Sequence, residues 1–558
     1  MRAKVNFEAI YLVFVFFFLI WASVANLWDH RIKHEFPFAY MASDTFQHQV
    51  RADSIKQMGN YKYEAYYICA GYKDCVGFYP PLMYHLDVIL SYISGLEIYD
   101  VAYLLVFIVI GFSAMIFYLI MRKLNKHIAM IGLPLSLLLF SRGPTTGPGP
   151  YALITWGSWP LIFGQFFLIC FFWSFSNFDL KNSWIFLAVF LSALALQHQP
   201  ELAFAVFFVI LMIGLWLLKK ELNLSKIRNI IIAGVVSFIT SVYFLIIFKF
   251  TFTKGNVIKW FSVLKTTTTD QTLYLSNFGI IILFIIVGIV LSFFILKKKF
   301  SLPIFISLFM MCVGFGNYIG LERHAFKTRC LWPIYLSLFV GISIYYLVKS
   351  LTRKWNIIYS FSLAIVLLLV FGGVIKIPKV PYSQRFTSSG IMDKYHWDAF
   401  RWIRDNTKED AKVLFLYGDI YNQDALLRNI FRVPHMVDIK EYISALKNKT
   451  IKRNIGIDIL GDHHGVYYAY RKSLFDFGFH AEEMGRDYFY NTKRDICNFD
   501  YIVLDKVSRQ DVLAKYNILI ANELLKKEFI RPVFDNGVVM IIKNNNPGED
   551  CIAEETRF

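Results

Sequence analysis

Residues 101–121 read VAYLLVFIVIGFSAMIFYLIM, a run without a charged side chain that ends at Arg122-Lys123. A helix rises about 1.5 Å per residue and the hydrocarbon of a bilayer is about 30 Å thick, so this stretch is long enough to cross it. Comparable runs recur from Phe7 to Ile375 and then stop. The chain has 558 residues and 56% hydrophobic content, with a mean hydropathy of +0.46. That is far more apolar than a soluble globular chain needs, so the first two thirds read as a polytopic membrane domain.

The charges between the runs set a topology. Lys and Arg cluster at 1–4, 122–126, 181, 219–228, 297–299 and 349–354, and taking these as cytoplasmic loops leaves about eleven spans. They fall near 7–27, 101–121, 128–141, 160–178, 184–198, 201–218, 229–249, 277–296, 302–318, 330–348 and 356–375. An odd number puts the N-terminus inside and the C-terminus outside. The net charge of +17 is then explained by topology and anionic headgroups, and nucleic acid is excluded as a partner. The first run follows Arg2 and Lys4 like a signal peptide, but it is too long and no small-residue cleavage site follows, so it reads as a retained span. Residues 78–95 are apolar yet short and open on Tyr79-Pro80-Pro81. They are expected as a helix at, or dipping into, the outer interface.

This topology gathers the costly polar residues on one side. The outer loop 28–100 carries Asp29, His30, His34, Asp44, His48, Arg51 and Asp53. Span ends on the same face carry His198, Glu201, Glu322, Arg323, His324, Lys327 and Arg329. Snorkelling charges would be divided between both faces, so the convergence favours a site. Cys69 and Cys75 in the first outer loop, and Cys497 and Cys551 near the C-terminus, face an oxidising compartment and are candidates for two disulfides. Cys170, Cys312 and Cys330 read as packing residues, and no Cys-x2-Cys zinc pattern occurs.

In Ser43-Asp44-Thr45-Phe46-Gln47-His48-Gln49-Val50-Arg51, Asp44, His48 and Arg51 recur at helical spacings of four and three and share a face. Ser43 is the expected N-cap and Gly59-Asn60 the expected end of a short amphipathic helix on the outer surface. A carboxylate held there can act as a general base, or can ligate a divalent metal together with His48. Charge at a helix N-terminus and a solvated face are the plainer alternative.

An acidic residue soon after the first span, an amphipathic helix, and then Phe78-Tyr79-Pro80-Pro81-Leu82 resemble the first outer loop of the GT-C superfamily of glycosyltransferases. The resemblance continues at Leu194-Ala195-Leu196-Gln197-His198-Gln199-Pro200, at Arg329 before Leu331-Trp332-Pro333, and in the helix expected from Trp397 to Thr407. It implies transfer of a sugar from a polyprenyl-phosphate or polyprenyl-diphosphate donor at the outer membrane face, to a protein, glycan or lipid acceptor. It also implies that Asp44 is the catalytic acidic residue. The chain lacks a Trp-Trp-Asp-Tyr-Gly motif, which argues against a standard oligosaccharyltransferase, and lacks an Asp-x-Asp motif within 142–159, which leaves metal dependence open. Mg or Mn is the candidate cofactor, with Asp44 and His48 as its ligands. Arg323 and Arg329 are the candidates to stabilise the departing lipid phosphate, and Arg51, Tyr79, His198 and Glu201 to bind substrate. His198 and Glu201 read equally well as caps of two adjoining helices.

The domain plan is a membrane catalytic domain over 1–378, a linker at 379–389, an extracytoplasmic α/β domain over 390–547 and a tail at 548–558. Residues 413–417 and 501–504 read as buried strands, 511–527 as a helix, and Asp535-Asn536-Gly537 as a hairpin turn before 538–543. His463-His464 reads as a turn with surface histidines, the run Thr266 to Asp270 as a connecting loop, and Asn448-Lys449-Thr450 is an N-glycosylation triplet of a kind that also arises by chance. A transporter or flippase of lipid-linked saccharides, or a non-catalytic assembly subunit, are the rival readings. No repeat between the two halves supports the first.

Overall fold

The computed structural model describes residues 6–28, 31–40, 42–60, 64–71, 79–140, 152–155, 157–178, 180, 182–254, 279–319, 328–329, 331–352, 355–374, 392–422, 424–460, 468–470, 481–483, 490–507 and 511–558. The expected linker, Cys75, Cys330, Arg323 with its neighbours Glu322, His324 and Lys327, the run Thr266 to Asp270, and His463-His464 lie outside them.

The chain is an integral membrane protein with a helical membrane domain and a C-terminal α/β domain. Its membrane part comprises α1 (Phe7–Leu27), α2 (Ser43–Met58), α3 (Leu82–Ser94), α4 (Ile98–Arg122), α5 (Lys126–Gly132), α6 (Trp159–Ser176), α7 (Ser183–Gln197), α8 (Gln199–Leu218), α9 (Leu224–Lys254), α10 (Ile281–Lys298), α11 (Leu302–Gly314), α12 (Ser337–Leu351) and α13 (Ile357–Val374). Seven described helices are long and apolar enough to cross a membrane: Phe7–Ala25, Ile98–Arg122, Trp159–Ser176, Gln199–Leu218, Leu224–Val242, Ile281–Lys298 and Trp332–Leu351. The other four expected runs hold the shorter apolar helices Lys126–Phe140, Ser183–Gln197, Leu302–Gly314 and Ile357–Phe371. In the first of these, the chain tightens after Gly132 into a 3-10 helix, Leu133–Phe140, which rises about 2 Å per residue and extends its reach. Helix α4 packs against α6 and α1, α9 against α7, and α10 and α5 against α12. Glycine makes the approach of α10 to α12 possible: a Cβ on Gly288 would lie 2.0 Å from the Phe339 carbonyl oxygen.

Helix α3 starts directly after Pro81 and ends at Gly95, which adopts φ 69°. It leaves Ile89, Tyr92 and Ile93 exposed while burying Met83, Tyr84, Asp87 and Val88.

The C-terminal domain begins with α14 (Lys394–Asn406) and contains α15 (Ile439–Asn448) and α16 (Asp511–Leu524). Its strands are β1 (Val413–Phe415), β2 (Pro434–Val437), β3 (Thr450–Lys452), β4 (Asn454–Ile459), β5 (Tyr468–Tyr470), β6 (Ala481–Glu483), β7 (Thr492–Asp495), β8 (Tyr501–Asp505), β9 (Ile530–Asp535), β10 (Val539–Asn544) and β11 (Glu555–Arg557). Seven of them form one sheet in the order β7-β4-β2-β1-β8-β10-β9. The central β1 runs parallel to β2 and β8, and β10 returns antiparallel to β8 and β9. All residues of β1 and β8 are buried, as befits strands covered on both faces. Residues 548–558, expected as a tail, are packed instead: Cys551 is bonded to Cys497, and β11 pairs antiparallel with β3. A disulfide and a ladder hold what composition alone left loose.

The two parts meet through the loop that follows α1, through α2 and the loop after it, and through the start of α4. Lys394 pairs with Glu35 at 2.6 Å, Trp397 meets Tyr99 edge to face with centroids 5.5 Å apart, and Tyr67 stacks on Phe431 at 5.2 Å.

Candidate active site

Helix α2 starts one residue earlier than its polar pattern suggests. Ala42 occupies the cap position in extended conformation without a side-chain cap bond, so Ser43 lies inside the first turn and is not the N-cap. The helix start is buttressed from the chain beyond α5. Gly157 adopts φ +80°, and a Cβ there would lie 2.5 Å from the Thr45 backbone nitrogen and 2.8 Å from the Asp44 carbonyl carbon. The end follows expectation, with Gly59 at φ 65° and its N–H donating to the Ile55 carbonyl at 3.0 Å.

A surface amphipathic helix is not what forms. Nine α2 residues from Thr45 to Ser54 are buried, because Tyr79, Tyr84 and Trp159 pack on the His48 and Arg51 face and the C-terminal domain meets the side that bears Gln49. Gln49 Nε2 donates to Asn429 Oδ1 at 2.8 Å. The expected polar face therefore divides: Asp44, in the first turn, is exposed, whereas His48 and Arg51 are buried.

Each buried member has a partner that the sequence did not single out. His48 Nδ1 lies 2.8 Å from the Tyr84 hydroxyl, and its ring packs near Tyr79 and Trp159. Burial drives the Tyr84 hydroxyl well above the usual phenol range, so it stays protonated. Arg51 pairs with Glu64, and its guanidinium stands 5.1 Å from the centroid of Tyr79, a cation–π distance. Glu64 reaches α2 because the backbone of Ala65 donates to Ser54 Oγ at 2.8 Å. Cys69, in the same loop, is disulfide-bonded. In the C-terminal domain the expected Cys497–Cys551 disulfide forms.

Two carboxyl groups complete this region. Asp53 accepts from Gln49 Nε2 at 3.2 Å. Burial pushes it up to about 7, against the pull of Arg404 and Gln49. Asp87 on α3 is 1% exposed, and neither carboxyl oxygen has a hydrogen-bond partner among the described residues. Burial, and then the nearby Asp53, hold it well above the carboxylate range.

A second cluster lies where α7 gives way to α8. His198 Nδ1 bonds Glu201, Gln165 Nε2 donates to Glu201 Oε1 at 2.9 Å, and Tyr335 donates to Gln165 Oε1 at 2.7 Å. Gln165 is legible in retrospect as the one strongly polar side chain of α6. His198 both ends α7 and precedes α8, without a side-chain cap bond at the α8 start. Arg329 is 2% exposed, just before the turn Trp332–Tyr335 that leads into α12.

Metal coordination finds little support in this donor set. Among the described residues no group of three or more His, Cys, Asp or Glu side chains is placed to hold a metal ion.

No family model matches the sequence, and no curated protein matches it. Solved structures do. ArnT from Cupriavidus metallidurans in the apo state superposes with a TM-score of 0.55 at 9% identity, over 98% of this chain and 98% of that one. The same protein bound to undecaprenyl phosphate gives 0.53 at 10% identity, over 98% and 99%. The chain has a GT-C-like fold. The oligosaccharyltransferase of Archaeoglobus fulgidus in its apo form shares this GT-C-like fold with a TM-score of 0.51 at 12% identity, over 76% of this chain. This chain spans 64% of the length of that one.

Proposed function

We propose that the chain is a glycosyltransferase that moves a sugar from a polyprenyl-phosphate or polyprenyl-diphosphate donor to a protein, glycan or lipid acceptor at the outer membrane face. One observation carries this reading: an exposed carboxylate, Asp44, opens a helix whose His48 and Arg51 are buried against Tyr84, Tyr79 and Glu64, within a GT-C-like fold. That ArnT binds undecaprenyl phosphate supports a lipid-linked donor.

In this reading Asp44 accepts the proton of the acceptor nucleophile as its bond to the anomeric carbon forms. The bond from that carbon to the lipid phosphate breaks, and the phosphate departs with the electron pair. His48, steadied by Tyr84, orients the base. Arg51 and Tyr79 bind the sugar or its phosphate, and Arg329 together with Arg323 stabilises the leaving group. His198 keeps part of its ring exposed and meets substrate, with Glu201 fixing its orientation. No step is routed through a metal. The test is Asp44→Asn, assayed with a panel of radiolabelled prenyl-linked sugars. Loss of turnover with unchanged folding is expected, and undiminished turnover overturns the assignment.

A further inference from the structure

The chain contains two Asn-x-Ser/Thr triplets, Asn223-Leu224-Ser225 and Asn448-Lys449-Thr450, and the structure treats them differently. Asn448 is the last residue of α15 and is exposed. Among the described residues its side-chain amide has no recorded hydrogen bond. Lys449, also exposed, turns the chain away from the helix with φ 50°. Thr450 then opens β3, whose single partner is the three-residue β11. This ladder stands outside the seven-stranded sheet, so the triplet lies at the margin of the domain. Asn223 is already employed: its Oδ1 accepts the Lys226 backbone N–H at 2.9 Å, the bond that caps a helix start. It also sits among Lys219, Lys220, Lys226 and Arg228, where basic charge marks a cytoplasmic loop. The Cys497–Cys551 disulfide supplies independent evidence of compartment, because such bonds persist where the surroundings are oxidising.

We infer that Asn448 is an N-glycan attachment site on the outer face of the membrane and that Asn223 is not. This inference rests on the outer placement of the C-terminal domain. The co-reactant is a lipid-linked saccharide, delivered by an oligosaccharyltransferase for which this chain is the acceptor. A carbon–nitrogen bond forms between Asn448 Nδ2 and the anomeric carbon. The carbon–oxygen bond to the lipid phosphate breaks, the lipid phosphate leaves with the electron pair, and one amide proton passes to the transferase's base.

Full-length chain translated into microsomes that carry an oligosaccharyltransferase tests it by gel shift and peptide mass. The wild type and Asn223→Gln are expected to gain one glycan, and Asn448→Gln and Thr450→Ala none. Lys408→Thr, built on Asn448→Gln, is the control, since it completes a triplet at the exposed Asn406 of the same domain. An unmodified wild type beside a modified control overturns the Asn448 assignment while leaving the topology intact. A glycan lost in Asn223→Gln, or no modification of wild type or control, overturns the outer placement itself. Either topology failure is separate from the outcome of the Asp44→Asn assay.

Discussion

Gln49 and Asn429, 380 residues apart in sequence, are joined by a 2.8 Å hydrogen bond between buried side-chain amides. The bond ties the helix that bears the candidate catalytic residues to the domain that covers it. Asn429 also donates to the Leu426 carbonyl at 3.0 Å, so its orientation is fixed within its own domain.

Asn429→Leu leaves one of the two Gln49 Nε2–H donors unpaired, the other still reaching Asp53, and an unsatisfied buried donor costs about 1–3 kcal/mol. The loss is expected locally, as faster hydrogen exchange in α2 and in residues 64–71 with the C-terminal sheet protected as before. A double-mutant cycle with Gln49→Leu checks it, and additive effects would rule out direct coupling.

Gly157→Ala tests the buttress under Asp44. Positive φ disfavours any side chain there, and the new Cβ would strike the Thr45 backbone nitrogen. Displacement of a reacting group by about 1 Å costs roughly 100-fold in rate. Transfer activity is expected to fall by about that factor with the fold retained, and wild-type turnover would show that Gly157 does not position the site.

Asp53 makes stability fall with rising pH. Its folded value, about 7, lies above the ordinary aspartate value of 3.8. The contribution is therefore fully present below about pH 4 and lost as pH rises through about 7. Asp53→Asn is expected to flatten the thermal-stability profile across this window, and an unchanged slope would assign that slope to other groups.

His396 acts in another window. It lies 2.7 Å from Asp393 and 2.6 Å from Asp505. Burial lowers its affinity for a proton, but the two carboxylates outweigh burial and raise it to about 10. The folded value is the higher one, so its stabilisation is complete below about 6.5 and lost as pH rises through about 10. His396→Leu removes the cation between two buried carboxylates, at a cost of roughly 3–5 kcal/mol. Calorimetric melting between pH 6 and 10 should show the wild type falling towards the variant, and parallel profiles would exclude a charged imidazole.

The positions of the apolar runs were legible because burial in hydrocarbon demands length and composition, and both are written in the chain. The alternation of short apolar segments after residue 390 likewise announced an α/β domain. The surroundings of α2 were not legible. Its spacing placed Asp44, His48 and Arg51 on one face, but a face is solvated only if nothing covers it. Asn429, Glu64 and Tyr84 come from elsewhere in the chain, and no local pattern points to them.

The sequence by itself determined the membrane class, the location of the helices and a carboxylate at the start of α2, since local composition governs each. Only the tertiary structure decided which polar groups are buried, which partners they take, and that residues 548–558 join the domain. Those outcomes depend on contacts between distant segments, whose energies are set by packing and desolvation and not by periodicity.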